Sequence, residues 1–234
     1  RGLRVMQLVF RRFSEPVRLH SVQVINLLHQ SPIRATFECD QPFLNRLWEM
    51  ARHTLTTCCL DLFVDCPWRE QTLWIDDQPF ESLYYLELTC DPVFAARNLR
   101  AGADGVQPDG LIPARYPSAY PMYFRSMRSL WTLILSDYYL YTGDLRLVQE
   151  LLPVMDKALS VYDRWRDSDG LVPYQEGDWN FTDWGYDLNG VFMGGKAAVL
   201  NLLISTALKR AAELYSAVGD EEGEREFHIR SKQT

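Results

Sequence analysis

The sequence predicts a mainly α fold: an array of helical hairpins, entered through a short stretch of strands. Three observations carry this. From Asp40 onward apolar residues recur at helical spacing, as in Phe43, Leu44, Leu47, Trp48, Ala51 and Leu55. Asp109-Gly110-Leu111-Ile112-Pro113 is echoed sixty positions later by Asp169-Gly170-Leu171-Val172-Pro173. Tyr141-Thr142-Gly143-Asp144 is echoed at Ala217-Val218-Gly219-Asp220. Two different elements that return in the same order mark a repeated unit of helix, Gly-Asp turn, helix and DGxxP loop.

The elements follow in order. Residues 1–33 alternate in strand fashion, with Val17 and Leu19, then Val22 and Val24, placing apolar side chains on one face. Two or three strands cannot stand alone, so this segment is expected to be the tail of a β-sandwich domain. Residues 34–234 are expected to be helical. Asp40 is expected to cap the first helix. A second helix covers Gln78 to Thr89, and Asp91-Pro92 opens a third that reaches Ala101. A long helix runs from Tyr123 to Tyr141 and stops at Gly143. Leu145 to Arg166 continues helically with Pro153 as a kink or break. The next helix spans Asn189 to Val218, and the residues after Gly219-Asp220 begin another. About six or seven helices are legible in this way.

Composition narrows the function classes. The 234 residues are 47% hydrophobic, enough for a substantial core. A net charge of −7 argues against nucleic acid or an anionic membrane surface as partner. No run of about 18 apolar residues is present to cross a membrane. The five cysteines include the neighbours Cys58 and Cys59, and no CxxC or CxxxH spacing occurs, so neither zinc nor a redox couple is indicated. Buried, reduced thiols in a cytoplasmic protein are expected. His20, His29, His53 and His228 sit in no nucleophile context, and no phosphate-binding glycine string exists. No cofactor or metal is expected. The chain begins with Arg1 and carries no signal peptide, which reads as an interior fragment.

Chemistry concentrates in Asp65-Cys66-Pro67-Trp68-Arg69-Glu70-Gln71, followed by Trp74 and Asp77. Carboxylates move protons and hold hydroxyls, and indoles lie against the apolar face of a sugar ring. The string DCPWREQTLWIDDQ resembles the signature of bacterial and fungal α-L-rhamnosidases of glycoside hydrolase family 78. In that family a Glu follows the opening Asp by five positions, a Trp by nine and a second Asp by twelve. Here those positions are Asp65, Glu70, Trp74 and Asp77, with Arg69 beside the glutamate. Phe37-Glu38-Cys39-Asp40, leading into Phe43-Leu44-Asn45-Arg46-Leu47-Trp48, is similar to the family's lead-in to its first barrel helix. Gly177-Asp178-Trp179 and Asp183-Trp184 resemble its aromatic loop. The family commonly has Arg-Gly-Trp-x-Gly-Asp-Ala where this chain reads Thr72-Leu73-Trp74-Ile75-Asp76-Asp77-Gln78. The missing glycines and the extra Asp76 bear on the loop geometry and on which sugar is accepted.

The resemblance implies a partial six-hairpin α/α barrel preceded by the last strands of a β-sandwich. It implies hydrolysis of terminal α-L-rhamnosides by an inverting, two-carboxylate mechanism, with a rhamnosyl glycoside as partner. Glu70 is the implied general acid. If Asp65 and Asp77 stand close to it in space, their charge raises its pKa and keeps it protonated, provided Arg69 turns to another carboxylate. Asp65, Arg69 and Asp77 would hold sugar hydroxyls, and Trp74 would pack on the sugar's apolar face. Asp77 could instead simply cap the helix that follows it. Asp178, Trp179, Asp183 and Trp184 would also face the sugar. The family's general base is a glutamate far downstream that no position here matches. Glu213, Glu221, Glu222, Glu224 and Glu226 read as a solvated helical surface. The fragment is therefore expected to need the remainder of its parent chain for turnover. Two alternatives remain: a six-hairpin hydrolase for another glycoside, such as an arabinoside or glucoside, and a non-catalytic carbohydrate-binding helical module.

Overall fold

The computed structural model describes residues 3–174, 181 and 198–234. Helix α1 (Pro42–Thr57) is followed by α2 (Gln78–Thr89), α3 (Pro92–Asp104), α4 (Met127–Thr142), α5 (Leu145–Trp165), α6 (Ala198–Val218) and α7 (Glu221–Lys232). Two short strands, β1 (Leu73–Trp74) and β2 (Arg115–Tyr116), pair antiparallel, with Trp74 opposite Arg115. The even-numbered helices form one layer, in which α2 packs on α4 and α4 on α6. The odd-numbered helices back this layer, with α3 and α5 against α4 and α7 against α6. Trp131, Met127, Ile134 and Leu135 of α4, Ile204 and Leu208 of α6, and Leu159 and Tyr162 of α5 are almost completely buried in the shared core.

Connections alternate strictly in length, and this positions the site. The passages from α2 to α3, α4 to α5 and α6 to α7 take only the residue pairs 90–91, 143–144 and 219–220. The passages from α1 to α2 and from α3 to α4 are long, and most of the chain between α5 and α6 lies outside the described residues. Both described long loops therefore lead into the N-terminal end of an even-numbered helix. Each tight corner places one residue in the left-handed region: Cys90 (φ 54°), Gly143 (φ 66°) and Gly219 (φ 80°). The aspartate after it caps the next helix. Asp91 accepts from the Val93 N–H, Asp144 from those of Arg146 and Leu147, and Asp220 from those of Glu222 and Gly223. The two DGxxP loops are equally alike. Gln107 N–H donates to the Leu111 carbonyl and Gly110 N–H to that of Gln107; Asp167, Leu171 and Gly170 repeat this pattern. Ile112 and Val172 are buried at the equivalent place.

Several expectations change. The strands expected before residue 33 are not formed, and residues 3–41 contain no regular element. Alternation sets which face is apolar but supplies no partner strand, and none pairs with this segment among the described residues. The stretch is instead pinned at its far end, where Tyr85 Oη donates to Ser31 Oγ, Ser31 Oγ donates to Asp91, and Arg34 N–H meets the Leu88 carbonyl. Asp40 does not cap α1. Gln41 holds that position without a side-chain bond, and Pro42 starts the helix. Pro153 lies inside α5 without breaking it. Helix α4 begins at Met127 rather than Tyr123, because Met122 and Phe124 belong to the loop that leads in, where the Met122 carbonyl receives the Ala114 N–H. The expected start of the next helix at Asn189 lies outside the described residues.

Candidate active site

The acidic-aromatic motif occupies the long loop between α1 and α2. Asp65 closes that loop on Thr72: its N–H meets the Thr72 carbonyl, and its Oδ1 accepts the Thr72 N–H at 3.2 Å. Between them the chain turns sharply. Gln71 adopts φ 53°, a conformation that is costly for a residue with a Cβ. Its side-chain amide donates to the Pro67 carbonyl at 2.7 Å, which fastens the turn. Glu70 stands at the tip of this turn, and β1 carries Trp74 up beside it.

The Glu70 carboxylate is held at both oxygens. Arg69 Nη2 donates to Oε1 at 2.6 Å, and the Trp74 indole N–H donates to Oε2 at 3.0 Å. The Arg69 hydrogen bond holds this carboxyl below its ordinary pKa; burial opposes, while the Trp74 N–H and the charges of Arg69 and Arg115 reinforce the lowering. The expected elevation by Asp65 and Asp77 is therefore corrected. Arg69 pairs with Glu70 itself, and proximity in sequence does not bring the two aspartates around it. Arg115, fixed opposite Trp74 by the β1–β2 register, lies over the indole at 5.5 Å. Phe124 stacks nearly parallel to Trp74, with centroids 6.5 Å apart.

Asp65 and Asp77 line a cavity of about 430 Å³ between α1 and α2, together with Thr54, Cys58, Glu81 and Tyr84. Asp77 stands at the N-cap position of α2, yet its side chain accepts no capping hydrogen bond, so the simple capping role does not apply. Asp76 is not on the cavity wall. Glu81, one helical turn after Asp77, is the carboxyl whose pKa is raised, to about 8. Burial is the main cause, followed by the charges of Asp77 and Asp65. Its Oε2 is buried and makes no hydrogen bond. The cavity also raises the Cys58 thiol to about 11, first by burial and then by Glu81.

Asp178, Trp179, Asp183 and Trp184 lie outside the described residues. Phe181, between them in sequence, is buried with its ring 5.2 Å from that of Phe124. Sequence reasoning missed Glu81, Arg115 and Phe124. Glu81 carries a faint signal, its i+4 spacing from Asp77, whereas the other two depend on strand register and loop packing. The carboxylates of the last hairpin serve its own surface: Glu213 pairs with Arg210, Glu221 with Arg225, Glu224 with His228 and Glu226 with Arg230. All five cysteines are free thiols, but only Cys58 and Cys59 are buried.

A layered array of helical hairpins, with carboxylates and indoles gathered on its long-loop end, defines a helical-hairpin glycosidase domain. The family model described as the bacterial alpha-L-rhamnosidase 6 hairpin glycosidase domain matches residues 33–234, and the chain belongs to that family of glycoside hydrolases. The fold is similar to that of the GH78 family rhamnosidase of Bacillus sp. GL1, with a TM-score of 0.78 and 28% identity over 86% of this chain and 21% of that one. It is also similar to a rhamnosidase from Klebsiella oxytoca with rhamnose bound, with a TM-score of 0.75 and 21% identity over 87% of this chain and 39% of that one. For the Streptomyces avermitilis α-L-rhamnosidase complexed with L-rhamnose the TM-score is 0.69 and the identity 18%, over 87% and 19% of the two chains. The chain thus spans well under half the length of these relatives. A comparison with curated protein sequences found no match.

Proposed function

We propose that the whole protein containing this chain hydrolyses terminal α-L-rhamnosides with inversion, and that Glu70 protonates the departing glycosidic oxygen. Inverting hydrolysis needs that acid on one side of the sugar and, about 6.5–9.5 Å away, a carboxylate base for water on the other. The base would come from the remainder of the parent chain. The observation that carries the reading is the Glu70 turn itself: a carboxyl at the tip of a fastened loop, beside an indole N–H and an arginine, on the long-loop end of a rhamnosidase-family hairpin domain.

Free Glu70 is ionised through Arg69, so protonation has to be coupled to substrate. A sugar hydroxyl that draws Arg69 away removes the main cause of the lowering. A bound ring that covers the exposed carboxyl then raises its pKa by desolvation. Trp74 keeps one oxygen oriented and leaves the other to carry the proton. Asp65, Asp77 and Arg69 hold hydroxyls, and Trp74 with Asp178, Trp179, Asp183 and Trp184 encloses the sugar. Residues 1–33 are the tail of a preceding β-sandwich domain, and the free thiols favour a cytoplasmic setting. Asp76, in place of a family glycine, favours a second reading in which another glycoside is the substrate; a panel of nitrophenyl glycosides separates the two.

The test is Glu70→Gln in the whole protein. The rate on a rhamnoside with a poor leaving group falls by about 10²–10⁴-fold, and far less with a leaving group that departs without a proton. Equal losses on both substrates would remove Glu70 from the acid role.

A further inference from the structure

Asp65 and Asp77 share one cavity with a third carboxyl, that of Glu81, which projects from the first turn of α2. Among the described residues no cation lines that cavity. The groups that face Glu81 are Asp77 at the start of its own helix, Asp65 from the loop, and the Cys58 thiol with Cys59 behind it at the end of α1. Both thiols stay neutral at physiological pH, pushed up to about 11 and about 12. Burial of Glu81 and the charges of Asp77 and Asp65 on the same wall favour one shared proton among the three carboxyls. The proton falls to the most buried of them. A neutral carboxyl also has one O–H to donate, and Asp77 and Asp65 are the anionic acceptors within the same walls.

We propose that Glu81 is a positioning residue: from the wall of the α1–α2 cavity its carboxyl steadies Asp77 and Asp65, the carboxylates assigned to the sugar hydroxyls. By carrying the proton it offers those two a neutral donor rather than a further negative charge. Its own ionisation adds a third negative charge, which drives the aspartates apart. Glu81 acts through Asp65 and Asp77 and touches no reacting atom. The proposal rests on their reading as sugar-holding groups.

The experiment compares Glu81→Gln, Glu81→Ala and the unsubstituted whole protein for kcat and KM on a rhamnoside, from about pH 5 to about pH 9. The unsubstituted protein loses kcat/KM above about pH 8, mainly through KM. Glu81→Gln, which keeps a neutral donor, retains the neutral-pH rate and loses the alkaline decline. Glu81→Ala raises KM by about ten- to a hundredfold, the cost of a hydrogen bond to a charged group. A glutamine variant as impaired as the alanine one, or an alkaline decline that persists in it, overturns the proposal. If no rhamnoside is hydrolysed at all, the functional reading fails, and Glu81 is still decided by the ¹³C titration of its carboxyl. A midpoint near 8 that drops in Asp77→Asn upholds the role, and an ordinary carboxylate midpoint overturns it.

Discussion

Arg69 and Glu70 are neighbours in sequence and partners in space, and this pairing sets the resting state of the candidate acid. Because Arg69 is the first cause of the lowered Glu70 pKa, Arg69→Ala is expected to move the Glu70 midpoint upward, read by ¹³C NMR of the side-chain carboxyl. Trp74→Phe, which deletes the indole N–H, shifts it the same way. No shift in either variant would mean that the hydrogen bonds at the turn do not govern this group. Glu81 has the opposite linkage. Its folded pKa lies above its unfolded one, so its contribution to stability is full below the ordinary carboxyl range. That contribution is lost as pH rises from about 4.5 towards about 8, at a slope of up to about 1.4 kcal/mol per pH unit. Thermal melts across that window should show the decline, and Glu81→Gln should flatten it. The spacing of Asp65, Glu70, Trp74 and Asp77 was legible in the sequence and does bring Glu70 to Trp74. The division of the acidic residues between an exposed turn and the α1–α2 cavity was not. It depends on the left-handed Gln71 and on the packing of α1 against α2, neither of which leaves a periodic trace.

Helices were read well wherever their ends have a chemical cause. Asp91, Asp144 and Asp220 cap their helices, and Gly143 and Gly219 end the helices before them, so boundaries there agree closely. Only two of the three corners were recognised as repeats, because the third puts Cys90 where the others have glycine. The conformation is the same, so the cost of the cysteine follows. A residue with a Cβ is disfavoured in the left-handed region by roughly 1–2 kcal/mol, and glycine in return loses more entropy on folding. Cys90→Gly is therefore expected to be neutral to stabilising by up to about 1 kcal/mol, measured by urea denaturation. Clear destabilisation would show that the Cys90 side chain contributes more than its backbone strain costs. Asp144→Ala at the equivalent corner is expected to lose about 1 kcal/mol by the same measurement. Asp40 misled because a capping residue was sought next to the apolar run, whereas Pro42 sets the helix start without a side-chain cap. The alternation before residue 33 forms no strand among the described residues, because a strand exists only with its neighbour.

At the scale of the molecule, the α1 end carries exposed apolar surface. No residue of α1 is buried, and Phe43, Leu44, Leu47 and Met50 are exposed, as are Phe80 and Tyr84 of α2. The stripe read from the sequence is real: Leu55 packs on the buried cluster around Phe63 and Tyr85, and Trp48 lies 5.8 Å from the Phe37 ring, while its N-terminal half stays exposed. Contiguous exposed apolar faces of this kind mark contact surfaces. The chain covers 21% of its Bacillus relative and 39% of its Klebsiella relative, and in the proposed mechanism the carboxylate that activates water lies in the remainder. Two consequences are expected of the isolated 234-residue chain. It binds a hydrophobic dye or self-associates through the α1–α2 face, and Phe43→Ser together with Leu47→Ser suppresses this. It also does not hydrolyse a rhamnoside at a measurable rate, even with an activated leaving group, because a proton donor without a base cannot complete inversion. Turnover by a clean monomer of this chain would place both carboxyl functions within these residues and would require a base to be found among the carboxylates of the site, with Glu81 and Asp76 the first to substitute.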